Sequence, residues 1–274
     1  EQLVDFVRRE QGGEAGIVYA LSRKRVEPAA EWLREAGVDA VAYHAGLPPQ
    51  QRLEAQTRFL RDEGVVVVAT IAFGMGIDKP DVRFVAHIDL PKSVEGYYQE
   101  TGRAGRDGAP AEAWMAYGLA DVVQQRQLIE GGEGDEATKR NQLAHLNHML
   151  ELCETTSCRR QYLLRYFGEE LGSPCGNCDV CLDPPKLWDA TVPAQKLLST
   201  VLRIGKERDG RTFAAGQHID VLRGTMSDRV RALRLDELST WGIGADLSVA
   251  QGRGVVRHLL AAGVLERRGG WGGR

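Results

Sequence analysis

No apolar run in these 274 residues approaches the roughly 18 that would cross a bilayer, and no signal peptide opens the chain. Neither a spanning helix nor a secretory leader is therefore expected as an organising feature. Cysteine is missing everywhere except between Cys153 and Cys181, where all five lie. An odd, clustered set with CxxC spacing and no leader argues against a disulfide framework and for metal. The chain has no GxxxxGK[ST] phosphate loop and no DExH box after a strand. Asp135-Glu136-Ala137-Thr138 imitates such a box but follows Glu-Gly-Gly-Glu-Gly, so it reads as a loop entering a helix. Gly205-Lys206 lacks both the upstream glycine and the Ser/Thr of a phosphate loop. The expectation is that a lobe holding ATP·Mg is absent and that the chain alone hydrolyses ATP negligibly.

An excess of charge of one sign is also missing overall, with a net of -3. Its distribution is uneven. Residues 189–274 hold 14 Lys and Arg against 9 Asp and Glu, so the basic excess sits in the C-terminal third.

What is present begins with alternation. Apolar strands are expected at Gly16 to Ala20, Val38 to Tyr43, Val65 to Ala69 and Val82 to Ile88, the third an unbroken β-branched run suited to burial on both faces. Helices are expected at Glu1 to Glu10, Val26 to Ala36 and Pro48 to Phe59. Such alternation predicts an α/β lobe with a mainly parallel sheet, whose ligands bind at the carboxyl ends of the strands. Ser93 is a candidate N-cap. A helix running on from it through Gln99 would put Gln99, Arg103 and Arg106 at i, i+4 and i+7, an amide and two guanidiniums on one stripe. Two arginines so placed suit a clamp on a phosphoryl group, whose charge must be met by fixed positive groups. Gly102 and Gly105 would let another body approach closely.

Helices follow at Asp121 to Glu130, Thr138 to Leu152 and Cys158 to Phe167, the last with Ser157 as its cap. Cys175-Gly-Asn-Cys178-Asp-Val-Cys181 supplies three thiolates within seven residues. Cys158, at a helix start, is the natural fourth, with Cys153 as competitor and His145 and His148 read as helix-surface residues. Four such ligands suit a closed, structural zinc site. An iron–sulfur cluster is the alternative, but its fourth cysteine should precede a proline where this chain has Asp183-Pro184. Beyond residue 188, an amphipathic helix from Pro193 to Arg208, a capping box at Ser248 to Gln251 with its helix to about Ala262, and a strand at Val264 to Arg268 suggest a winged helix-turn-helix. Arg223, Arg229, Arg253 and Arg257 are the candidate DNA-phosphate contacts, against the reading of a solvated face. The wing, about where the chain stops, is expected to be incomplete.

AFGMGIDKPDVRFVAH followed by YYQETGRAGRDG resembles motifs V and VI of the RecQ family of superfamily-two DNA helicases, in their bacterial form. GIVYALSRKRVEPAAEWL and YHAGLPPQQR resemble motif IV and the segment after it. TSCRRQYLLRYFGE with SPCGNCDVCLDPP resembles the family's zinc region and favours Cys158 over Cys153. The resemblance implies a second RecA-like lobe (1–120), a helical zinc-binding subdomain (121–188) and a winged-helix domain (189–274). It implies a 3′–5′ helicase acting in repair and recombination, whose ATP and Mg are held by a lobe that is missing. Arg103 and Arg106 become arginine-finger candidates with Gln99 beside them; Asp78, Gly76 and Thr70 come near the nucleotide. Ser22, His44, Thr70 and Gly74 come near DNA, though His44 could equally pair with a backbone carbonyl. Implied partners are single-stranded and duplex DNA, the missing lobe and single-stranded-DNA-binding protein; the implied location is the cytoplasm, at the nucleoid. The rival is a non-catalytic zinc-containing DNA-binding module that tethers a partner.

Overall fold

The computed structural model describes residues 1–74, 77–207 and 213–265. The chain divides into two compact units, Glu1–Met149 and Leu150–Arg274. The division falls inside one helix rather than at the boundaries expected from the sequence.

The first unit is built on five parallel strands, β1 (Gly16–Tyr19), β2 (Ala40–Tyr43), β3 (Val66–Ala69), β4 (Phe84–His87) and β5 (Glu112–Met115), in the spatial order β2-β3-β1-β4-β5. Around them run α1 (Gln2–Asp5, continued by a π-helical turn over Phe6–Glu10), α2 (Arg23–Glu35), α3 (Pro49–Arg61), α4 (Val94–Thr101) and α5 (Leu119–Glu130). The period-2 alternation of a strand sends successive side chains to opposite faces. Val18, Val66, Val68, Phe84 and Ala86 pack with Phe6 and with Val26, Ala29, Ala30 and Leu33 of α2. Ile17, Tyr19, Val65, Val67 and Val85 pack with Ala55 and Phe59 of α3. The expectation of two buried faces holds for β3, and β1 and β4 are likewise buried at all four residues.

From β3 to β4 the described residues of the chain cross without a regular helix. Phe73 and Ile77 of this crossover are buried in the α3-side core, supplying the apolar contacts that a crossover helix would otherwise give. The edge strand β5 is half exposed. It has no counterpart in the sequence expectations.

Helix α6 (Glu136–Glu154) leads into the second unit, which continues with α7 (Arg159–Tyr166), α8 (Asp179–Leu182), α9 (Thr191–Glu207), α10 (Ala215–Arg223), α11 (Asp228–Ala232) and α12 (Val249–Ala261). Leu197 of α9, Leu222 of α10 and Val255, Val256 and Leu259 of α12 form one apolar cluster. Ile204 of α9, Val221 of α10, Val230 of α11 and Leu235 form another. Neighbours Val221 and Leu222 thus face different clusters. The capping box at Ser248 is complete, with Gln251 N donating to Ser248 Oγ at 3.1 Å and Ser248 N to Gln251 Oε1 at 2.9 Å. Among the described residues no helix is long and apolar enough to cross a membrane. The expected wing strand falls largely on residues 266–268, outside the described residues.

Candidate functional site

Ser93 caps α4 as expected, its Oγ accepting from Gly96 N at 3.2 Å. The helix does not run on to Arg106, however. It ends at Thr101, with Gly102 as C-cap, and residues 102–107 form turns. Gly105 has φ +66°, the left-handed region that a helix excludes and glycine enters without a Cβ penalty. Its N–H donates to Val82 O at 2.9 Å, folding the segment back onto the lobe. Gln99, Arg103 and Arg106 are therefore not one helical stripe. The arginines reach out from a turn whose Ala104 packs into the α3-side core.

Both arginines meet the β3–β4 crossover. Arg103 Nη1 donates to Gly74 O at 2.6 Å, and its Nε is buried without a partner. Among the described residues no carboxylate lies within 4 Å of this guanidinium. Arg106 Nη1 donates to Asp78 Oδ1 at 2.9 Å and to Ile77 O at 3.4 Å. That ion pair is open to solvent, with side-chain exposures of 38% for Arg106 and 86% for Asp78, so water screens it and leaves it easily exchanged. Gln99 lies exposed on the last turn of α4.

The remaining expected residues of this lobe fall in two groups. Thr70, at the carboxyl end of β3, is buried, its N–H on Tyr43 O at 3.4 Å and its carbonyl accepting from Phe73 N at 2.9 Å. Gly74 is buried beneath Arg103, and Gly76 lies outside the described residues. Ser22 occupies the N-cap position of α2 without spending its hydroxyl on a capping bond. His44 is 5% exposed, and both ring nitrogens are engaged, Nε2 with Glu27 at 2.9 Å and Nδ1 accepting from Gly46 N at 3.1 Å. The ring thus pairs within the lobe, though with a carboxylate and a backbone N–H rather than the backbone carbonyl expected.

Three residues near the arginines were not singled out from the sequence. The Tyr19 hydroxyl donates to Phe73 O at 3.0 Å. Burial pushes its pKa up strongly; the positive charge of Arg103 opposes that rise and the Glu100 carboxylate adds to it. His87, at the end of β4, bonds Glu100 at 2.7 Å and stacks on Tyr19 with ring centroids 5.4 Å apart. A polar ring closing an otherwise apolar strand, seen in both Tyr19 and His87, is the sequence signal that could have found them.

In the second unit Cys158, Cys175, Cys178 and Cys181 converge, their sulfurs all within 4.8 Å of one another. Tetrahedral zinc with Zn–S bonds near 2.3 Å needs sulfurs about 3.8 Å apart, so the donor set and its spacing fit a closed zinc site. Cys158 is the N-cap residue of α7 and Cys178 that of α8. Burial opposes ionisation of Cys158, but N–H donors from Cys175 and Gln161, together with hydrogen bonds from the Cys175 and Cys181 thiols, outweigh it and bring the thiol down to about 6. Cys175 N reaches the Cys158 sulfur at 3.3 Å. Ser157 does not cap α7; its hydroxyl bonds Thr155 at 3.0 Å. Cys153 stands apart, pushed up to about 12 by burial, as an inert thiol. Arg159 braces the cluster from outside, gripping Asp179 with Nε at 2.6 Å and Nη2 at 2.8 Å while Nη1 donates to Leu152 and Cys153 carbonyls.

Of the four candidate phosphate contacts, Arg223 is committed to a backbone tie, Nε donating to Leu247 O at 2.7 Å. Arg229, Arg253 and Arg257 are exposed, the last with a loose 3.9 Å contact to Glu154.

Comparison with known proteins gives three consecutive family matches. The helicase conserved C-terminal domain matches residues 1–108, the RecQ zinc-binding region residues 119–182 and the RQC domain residues 184–273. The chain is 47% identical over 268 residues to an ATP-dependent DNA helicase RecQ of Pasteurella multocida, covering 97% of this chain and 41% of that protein. It is 41% identical over 261 residues to the ATP-dependent DNA helicase RecQ of Bacillus subtilis, covering 95% and 43%. It is 39% identical over 270 residues to the ATP-dependent DNA helicase hus2/rqh1 of Schizosaccharomyces pombe, covering 96% and 20%. The chain thus spans less than half the length of these relatives.

Proposed function

Because the chain belongs to the RecQ family of DNA helicases, we propose that it forms the C-terminal part of a 3′–5′ ATP-dependent helicase core that unwinds DNA in repair and recombination. Its modules are a second RecA-like lobe (1–120), the helical zinc-binding subdomain (121–188) and the winged-helix domain (189–274). ATP and Mg belong on a phosphate-loop lobe that these residues do not supply. Arg103 and Arg106 act across the cleft as arginine fingers, meeting the negative charge that develops on the γ-phosphate. Gln99, Asp78 and Thr70 complete the nucleotide-facing side. Ser22 and Thr70 border the single-stranded track, and Arg229, Arg253 and Arg257 hold the duplex ahead. Zinc, held by Cys158, Cys175, Cys178 and Cys181, crosslinks α7 to α8 and has no open position for chemistry. Single-stranded-DNA-binding protein is the proposed partner, and the nucleoid within the cytoplasm the proposed location.

The observation that carries this reading is the state of the two guanidiniums. Arg103 rests on a carbonyl with no carboxylate beside it, and Arg106 rests on an exposed one that an incoming phosphate can displace. A charge held this way is poised for an anion. The test mixes this chain with a separately made phosphate-loop lobe of the Pasteurella relative. DNA-stimulated ATP hydrolysis should appear only in the mixture, and Arg106→Ala should lower it about 1000-fold, the usual scale for an arginine finger. Hydrolysis that Arg106→Ala leaves unchanged would return the tether reading. Robust turnover by the chain alone would also overturn the proposal.

A further inference from the structure

Gly74 offers more than backbone freedom. A Cβ built on it would lie 2.4 Å from Arg103 Nη2 and 2.8 Å from Cζ, so the guanidinium occupies the space a side chain would take. Gly74 O is the acceptor for Nη1 at 2.6 Å. The Tyr19 hydroxyl, anchored on Phe73 O at 3.0 Å, stands beside the same guanidinium. Arg103 N donates to Glu100 O at 3.3 Å, and the Glu100 side chain is pinned by buried His87 at 2.7 Å. Stacking of His87 on Tyr19 closes the ring of contacts. Four segments (the end of β1, the crossover, the end of β4 and the last turn of α4) thus converge on one arginine.

We propose that Gly74, Tyr19, Glu100 and His87 form a cradle that positions Arg103. Gly74 gives it a seat, the Tyr19 hydroxyl held on Phe73 O walls one side of that seat, and the His87–Glu100 pair sets where its backbone leaves α4. These are positioning residues, acting through Arg103 rather than on the nucleotide. For Gly74 this replaces a role as a DNA contact with one in seating an arginine. The proposal rests on the reading of Arg103 as a group that serves phosphate. A preset head loses little freedom on meeting its anion, and a displacement of about 1 Å can cost on the order of 100-fold in rate.

The first measurement is the Arg103 Nε–H resonance of the complete chain, identified by its loss in Arg103→Lys. Nε is buried and unpartnered, so its proton should exchange slowly with water. Tyr19→Phe, which removes only a hydroxyl, and Gly74→Ala, which fills the seat, should each lose the slow-exchanging signal. The second measurement is ATP turnover in the mixture with the phosphate-loop lobe. Gly74→Ala should lower kcat about 100-fold with KM for ATP unmoved. Gly74→Ala combined with Arg103→Ala should be no slower than Arg103→Ala alone, because both act through one side chain. An unchanged Nε–H signal in both variants overturns the cradle. Additive losses in the double variant overturn it too. If Arg103→Ala leaves turnover at the parent rate, the phosphate role of Arg103 fails, while the exchange measurement still decides the cradle.

Discussion

At the scale of single residues, the turn that carries the arginines is held at its far end by one guanidinium. Arg83 is 14% exposed, and its Nη2 contacts both Asp107 oxygens, at 2.7 and 2.6 Å. Its Nη1 donates to Pro110 O at 3.0 Å and Nε to Asp81 O at 3.2 Å. Asp107 also accepts from Ala109 N at 3.0 Å. The hydrogen bonds from Arg83, then that from Ala109, hold the Asp107 carboxyl below the ordinary carboxylate value. A carboxylate with a depressed folded-state pKa binds fewer protons than in the unfolded chain, so stability rises with pH across that interval. The contribution is therefore complete above the ordinary carboxylate range and lost as pH falls through the lowered value. NMR titration should give Asp107 a midpoint below that of an unstructured aspartate, and Arg83→Gln should raise it. A midpoint at or above the unstructured value in the parent chain would show that Arg83 does not hold this turn.

Elements were legible wherever one local signal decided them. The β-branched run at Val65 to Ala69 and the apolar stretches around Ile17 and Val85 became β3, β1 and β4, because burial on both faces leaves no need for a polar alternation, and the stretch around Val41 became the half-buried β2. Edge strand β5 was not legible, since Glu112-Ala113-Trp114-Met115 gains its place from pairing with β4 rather than from pattern. The arginine stripe failed because helical spacing was extended through Gly102 and Gly105, where the chain instead turns. Tyr19 and His87 carried only the weak signal of a polar ring closing an apolar strand, and Glu100 carried none, because contacts across β1, β4 and α4 leave no trace in local order. The cysteine cluster was the opposite case. Three of its sulfurs are neighbours in sequence and the fourth caps a helix, so spacing carried most of the geometry. Its helices are short, α8 only four residues, and the metal supplies the cohesion that so little apolar surface cannot. Chelation should therefore abolish the helical signal of α7 and α8, read by amide exchange across 158–182. Cys158→Ser should lose the bound zinc, whereas Cys153→Ser should retain one zinc per chain. Persistence of protected amides after complete metal removal would mean the site is not structural.

Across the whole molecule, charge is divided rather than balanced. The chain carries a net of -3 while residues 189–274 carry an excess of positive groups, so any attraction to nucleic acid is concentrated in the second unit. Not every arginine there is available. Arg223 is half-buried and ties α10 to the carbonyl of Leu247, just ahead of α12, so its removal should weaken folding before it weakens binding. Arg229 and Arg253 are exposed, on α11 and α12, and can reach a backbone phosphate at no cost to the apolar clusters. A phosphate contact releases counterions, so its signature is the salt dependence of affinity rather than sequence preference. Duplex binding by the complete chain, followed by fluorescence anisotropy over a series of salt concentrations, should give a linear plot of log K against log salt. Arg253→Ala should flatten that slope by about 1 and weaken binding equally for unrelated sequences. Arg223→Ala should lower the unfolding midpoint, which Arg253→Ala should leave in place. A slope that survives Arg229→Ala and Arg253→Ala unchanged would move the duplex contact away from α11 and α12, because exposed cations that meet no phosphate release no ions.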